Sequence, residues 1–256
     1  MGQLLGPDQP CYGLQLPTHD VDGRPLERIE PMARTLLAEI RQVRPSGPYC
    51  LGGYSFGGLV AYEIAQQLVA AGEEVPLLLM WDTFAPGGME SRPLPHRALI
   101  HLRRLWRTDL WPAFRSLSKR TWRIVRRRAG PQPSETTGPL AVGNRVREIK
   151  RVSRIAFDAY HPEPYPKRVT LLLASERSEW SEFFNMDPLA GWQELARGGV
   201  ALHQVRGQHL GMFDPQWLGQ MAQTVRACLH DAMARTATGH DCMPEQRRRR
   251  AVVSDA

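Results

Sequence analysis

The sequence predicts an α/β fold, a mostly parallel sheet flanked by helices, with a helical segment inserted after its third strand. Three observations carry that expectation. Short apolar runs of strand length alternate with segments whose apolar residues recur at helical spacing. One such run, Tyr49-Cys50-Leu51, passes through glycines straight into a helix-forming stretch. Between Arg92 and Lys150 the alternation gives way to a basic, Trp- and Leu-bearing stretch of helical pattern.

Taken in order, Gln9 to Leu16 reads as a short strand, followed by a polar loop through Gly23. Ile29, Met32, Leu36, Leu37, Ile40 and Val43 are spaced at three and four residues and predict a helix ending before Pro45. The Tyr49 strand comes next, and its helix runs to Ala71, where Gly72 stops it. Pro76 to Trp81 is a continuous apolar run, as a parallel strand covered on both faces requires, and it ends at Asp82. From Pro95 to about Arg128, Leu99, Leu102, Leu105, Trp106, Trp111, Phe114, Trp122 and Val125 are interleaved with arginines, with Pro112 dividing two helices. Pro131 to Gly143 reads as a loop, and Arg145 to Tyr160 as a further helix. Strands are expected at Arg168–Ala174 and Val200–Val205, joined by a Trp-bearing connection through Trp192. A closing helix spans about Pro215 to Ala232, and the tail from Thr236, with Arg247 to Arg250, reads as disordered. The expected organisation is one domain over 1–235, a basic helical lid inserted at 92–150, and a basic tail at 236–256.

Composition narrows the classes. A chain of 256 residues with 42% hydrophobic and 23% charged residues suits one globular domain with a full core. It holds no run of about 18 apolar residues, so no membrane span is expected. The first residues lack the basic and apolar regions of a secretory signal. Cys11, Cys50, Cys228 and Cys242 have no metal-type spacing; the expectation is no metal and buried free thiols in a reducing cytoplasm. The net charge of +7 is uneven, because residues 92–150 carry 15 Lys/Arg against 3 Asp/Glu while the remainder is mildly acidic. Arg123–Arg128 and Arg247–Arg250 raise nucleic-acid or anionic-membrane binding as a rival class, but no motif for base readout accompanies them.

The chemistry is concentrated at Gly53-Tyr54-Ser55-Phe56-Gly57, a strand–turn–helix with the pattern of a nucleophile elbow. The sharpness of such a turn leaves no room for side chains at the flanking positions, which accounts for the glycines. The turn lifts the Ser55 hydroxyl off the sheet and places it at a helix N-terminus, where the Phe56 backbone N–H can donate to an oxyanion. A structural serine in a glycine-rich turn is the plainer alternative. Serine needs a base to take its proton, and the base needs a carboxylate to fix its tautomer. His209 follows the last strand between Gly207 and Gly211 and suits the base; His203 lies within that strand, and His161, His96 and His101 lie in helical or lid segments. For the acid, Asp82 ends its strand without a spacer and is favoured over Glu176 and Asp187, which follow the next strand. A turn or N-cap role remains the alternative for Asp82.

The runs Gly47–Ala65, Leu79–Asp82, Tyr160–Pro162 with the Val169 strand, and Gly207–Met212 together resemble the type I thioesterase domain that terminates polyketide synthases and non-ribosomal peptide synthetases. The resemblance extends from about Leu5 to Leu229. It implies an α/β-hydrolase fold with Ser55, Asp82 and His209 as a triad, and no cofactor of its own. The implied substrate is an acyl or peptidyl chain on the phosphopantetheine arm of a partner carrier protein, with water or an internal nucleophile releasing it from Ser55. It also implies that the basic insert is a lid, whose charge could steer an acidic carrier or merely solvate a helix face. One departure stands out: the family opens with an additional apolar strand and a Gly-rich loop that supplies a second oxyanion N–H. Here Leu4-Leu5-Gly6-Pro7 matches only beyond them, so the expected fold is N-terminally truncated. Either the start lies upstream or the domain is an impaired remnant that keeps its carrier surface; a general esterase is the other alternative.

Overall fold

The computed structural model describes residues 2–95, 139–176 and 184–238. Its centre is a four-stranded parallel sheet in which β1 (Cys50–Tyr54), β2 (Leu77–Trp81), β4 (Val169–Ala174) and β6 (Val200–Val205) lie side by side in that order. All four therefore end at one edge of the sheet, the side on which open α/β sheets build their sites. A separate two-stranded antiparallel ribbon pairs β3 (Met89–Ser91) with β5 (Phe184–Met186).

The helices are α1 (Gly2–Leu5), α2 (Ile29–Val43), α3 (Phe56–Ala70), α4 (Pro139–Asp158) and α5 (Pro215–Thr238). They cover both faces of the sheet, and the pleat sorts residues between them. In β2, Leu78 and Met80 join the cluster built on Ile29, Met32 and Leu36 of α2 and Leu59, Tyr62 and Leu68 of α3. Leu77 and Leu79, pointing the other way, join Met221, Ala222 and Val225 of α5 and Leu5 of α1. In β4, Leu171 and Leu172 divide in the same manner. That double coverage is why β2 is apolar at every position. It is also why α3, pressed between α2 and the sheet, is apolar almost all round.

One polar row interrupts α3. Glu63 is buried, accepting from the Tyr160 hydroxyl at 2.9 Å and from Gln67 Nε2 at 2.9 Å. Tyr62 donates to the Glu163 carbonyl at 2.8 Å, and burial pushes its phenol up to about 12, so it stays a neutral donor. Burial, with the Glu63 carboxylate beside it, likewise pushes Tyr160 up. These bonds fasten the chain following α4 onto the helix that follows the elbow.

Several expectations need correction. Gln9–Leu16 forms no ladder: Tyr12 is 71% exposed and Leu14 45% exposed, and β1 is an edge strand of the sheet. A strand requires a neighbouring edge for its backbone groups, and none adjoins this segment among the described residues. Helix α4 starts at Pro139, inside the expected loop, with proline at a first-turn position where its missing N–H costs nothing. It ends at Asp158, close to the expected Tyr160, and α5 runs on past the expected Ala232 to Thr238. Cys11 and Cys50 are exposed rather than buried, whereas Cys228 is buried. Most of the lid, 96–138, and the tail, 239–256, lie outside the described residues, as do Cys242, His96 and His101. No helix among the described residues is long and apolar enough to cross a membrane.

Candidate active site

Ser55 sits between the end of β1 and the start of α3 with φ 53° and ψ −122°. A side-chain-bearing residue enters this region only when its surroundings force it, at a cost of about 1–3 kcal/mol. The surroundings here are specific. Ser55 N–H donates to the Trp81 carbonyl at 2.8 Å, Gly58 N–H to the Ser55 carbonyl at 3.0 Å, and the Thr83 hydroxyl, 3.1 Å from both, reaches the Ser55 and Trp81 carbonyls. Trp192, fully buried, donates its indole N–H to the Thr83 carbonyl at 2.8 Å. Phe56 is the first residue of α3, so its N–H stands ahead of the helical ladder, as an oxyanion donor must.

The glycines divide differently from the expected pattern. A Cβ on Gly53 would strike the Gly57 backbone, and one on Gly58 would strike the Thr83 side chain. A Cβ on Gly57 would meet nothing within 4 Å. Gly58→Ala is therefore expected to destabilise the fold by about 1–3 kcal/mol through overpacking against Thr83. Gly57→Ala should be neutral or stabilising by up to about 1 kcal/mol. Urea unfolding of both variants checks this, and equal losses would contradict the packing account.

Asp82 mirrors Ser55 one strand along. It follows β2 with φ 43°, and its N–H donates to the Leu172 carbonyl at 2.9 Å. Its side chain is buried and fully engaged: Oδ1 accepts from Ala174 N–H at 3.1 Å and Oδ2 lies 2.6 Å from His209 Nδ1. A carboxylate can only accept, so Nδ1 carries the proton and Nε2 holds the lone pair, the tautomer a general base needs. His209 lies in the loop beyond β6, where Gly207 takes φ 98°. Tyr54, bonded to Ser55, stacks on the His209 imidazole with ring centroids 4.9 Å apart, so the elbow and the His209 loop meet over Asp82.

The structure thus brings Asp82 and His209 into contact at the strand ends and places Ser55 and Phe56 at the elbow beside them. Asp82 serves as turn residue and histidine partner together. The other candidates go elsewhere. Asp187 accepts from Leu189 and Gly191 N–H groups and closes its own turn, and Glu176 is exposed. His203 Nε2 lies 3.6 Å from the Cys228 thiol, and His161 Nδ1 lies 3.1 Å from the Ala159 carbonyl. Sequence reasoning missed Thr83, Trp192 and the contacts of Tyr54; for the first two no local pattern signals the role. Among the described residues, no three His, Cys, Asp or Glu side chains group as a metal site.

The family model of the thioesterase domain matches residues 2–229. The chain belongs to the thioesterase domain family. This domain is 27% identical over 252 residues to the nonribosomal peptide synthetase atqA of Aspergillus terreus, covering 88% of this chain and 25% of that protein. It is 42% identical over 91 residues to the non-reducing polyketide synthase PFUR17_0229 of Pseudevernia furfuracea, covering 36% of this chain and 4% of that one. The thioesterase domain thus spans a quarter or less of the length of these synthases. Among solved structures, the NocB thioesterase domain in covalent complex with a fluorophosphonate nocardicin G analogue superposes with a TM-score of 0.54 at 26% identity, covering 83% of this chain and 79% of that one. The fold is that of the α/β-hydrolase thioesterases, and the chemical class is a hydrolase.

Proposed function

We propose that this thioesterase domain releases an acyl or peptidyl chain from the phosphopantetheine thioester of a carrier protein, through an ester on Ser55. The observation that carries the reading is the 2.6 Å contact between Asp82 and His209 at the sheet edge where Ser55 stands on its strained turn. Similarity to a nonribosomal peptide synthetase and a polyketide synthase supports the carrier-bound substrate.

Ser55 Oγ attacks the thioester carbonyl while His209 Nε2 takes its proton, and Asp82 steadies the imidazolium that results. The oxyanion accepts from Phe56 N–H at the α3 N-terminus. Collapse breaks the C–S bond, and the pantetheine thiolate leaves with the proton from His209. Water, or a hydroxyl or amine of the chain itself, then attacks the Ser55 ester with His209 again as base, and the freed serine recovers its proton. The chain needs no resident cofactor for these steps. The basic charge of residues 92–150 would favour approach of an acidic carrier.

The test is a fluorophosphonate probe together with a pantetheine thioester and a p-nitrophenyl ester. The expected result is one label per chain, mapped to Ser55 and lost in Ser55→Ala, with the thioester cleaved at least as well as the ester. A label elsewhere, or a strong preference for the simple ester, overturns the reading.

A further inference from the structure

Tyr54 has a part that the proton-transfer scheme leaves unassigned. Its ring lies on the His209 imidazole, 4.9 Å between centroids and inclined by 28°. Its hydroxyl donates to the backbone carbonyl of the same residue. Phe213, further along the His209 loop, meets the Tyr54 ring edge-on at 5.1 Å and 87°, and also approaches Trp81 at 6.0 Å. One side chain therefore holds both the ring face and the main chain of His209, and a second aromatic from that loop holds it in turn.

The loop is anchored at its base and beyond its tip. Glu176 N–H donates to the Gly207 carbonyl at 3.1 Å, Gly211 and Met212 N–H donate to the Gln208 carbonyl, and Met212 is buried in the cluster with Leu77, Leu79 and Leu172. Leu210 at its tip is 87% exposed, so near His209 the Tyr54 contacts supply the hold that Leu210 does not. Asp82 Oδ2 holds the imidazole at Nδ1, 2.6 Å away, and the Tyr54 ring lies against its face, so different residues act on its edge and its face. Burial, with the Asp82 charge nearby, pushes the Tyr54 phenol up, which keeps it protonated as a donor.

We infer that Tyr54 is a positioning residue for His209: by stacking on the imidazole and bonding the His209 carbonyl, it sets the aim of Nε2 relative to Ser55, the residue to which Tyr54 is itself joined. Nucleophile and aligner are consecutive residues, so the elbow and the His209 imidazole are in register through one side chain. The inference rests on the reading of Ser55 and His209 as nucleophile and base.

The test compares Tyr54→Phe, Tyr54→Leu and Phe213→Leu in the full chain. Circular dichroism checks folding, steady-state kinetics with a pantetheine thioester gives kcat and KM, and proton NMR follows the strongly downfield His209 Nδ1–H signal. Tyr54→Phe keeps the stack and loses one hydrogen bond, so kcat is expected to fall by up to about tenfold. Tyr54→Leu loses both contacts, and misaimed reacting atoms should cost about 10²-fold in kcat with KM little changed. The Nδ1–H signal should be sharp in wild type and Tyr54→Phe and broadened in Tyr54→Leu. Wild-type kcat and a sharp signal in Tyr54→Leu would overturn the inference, as would a loss confined to KM, which makes the ring a substrate wall. Should Tyr54→Leu not fold, wild-type kcat and signal in both Tyr54→Phe and Phe213→Leu would overturn it equally. If the wild-type chain neither labels nor turns over, the reading of Ser55 fails by itself, and the NMR comparison still decides whether Tyr54 holds the imidazole.

Discussion

Ser55→Ala is expected to lower thioester turnover by on the order of 10⁶-fold, and His209→Ala by a similar factor. The two should not add. Nucleophile and base act in one step, so removing either removes nearly everything that both supply, and the double variant should match the singles. Binding should survive, because Ser55→Ala deletes one oxygen from a turn whose backbone is held independently by Trp81, Gly58 and Thr83. Relief of the serine hydroxyl leaves φ 53° in place, so the variant should melt close to wild type. The check is single-turnover kinetics with a carrier-loaded acyl chain, alongside thermal melting. Turnover within tenfold of wild type in a well-folded Ser55→Ala would remove the elbow from the mechanism. A double variant far below either single would show that the two residues work separately.

The sequence disclosed the elbow because its signals are local. Glycine next to an apolar run, then helical spacing, is written within Tyr49 to Leu68, and β1 and α3 follow it closely. Apolar continuity likewise placed β2 and β4, since both faces of each are covered. Strand-end logic chose Asp82 and His209 without revealing their distance, as they lie 127 residues apart in the chain. What escaped depends on neighbours that only the fold supplies. Gly57 and Gly58 look alike in sequence, yet Thr83 crowds just one of them. The β3–β5 ribbon joins three-residue strands across the insert, too short for any alternation to register. Gln9–Leu16 has the composition of a strand and no ladder, because pairing belongs to the partner edge as much as to the segment. Nothing in the sequence marks Tyr54 for a role, and its contacts with His209 appear only when the end of β1 and the loop beyond β6, 155 residues apart, come together.

Asp82→Asn is expected to reduce kcat by about 10⁴-fold while leaving KM and fluorophosphonate binding geometry largely intact. The reason lies in which atoms can donate. Asp82 Oδ1 accepts from Ala174 N–H and Oδ2 from His209 Nδ1. An asparagine there must keep its carbonyl oxygen toward Ala174, for a backbone N–H cannot accept. Its NH₂ then faces Nδ1 and donates to it, so the imidazole proton moves to Nε2 and the base toward Ser55 is lost. Structure changes little, because the side chain keeps its shape, but the positive imidazolium formed during attack also loses its counter-charge in a buried spot. Asp82→Ala should behave differently: water can enter, either tautomer becomes possible, and part of the activity lost in the amide variant returns. The measurement is kcat for the two variants with one thioester, and the His209 Nδ1–H resonance for each. An amide variant as active as wild type would mean that Asp82 serves its turn and not the imidazole, and Asp187, whose carboxylate already closes the Leu189 and Gly191 turn, offers no replacement.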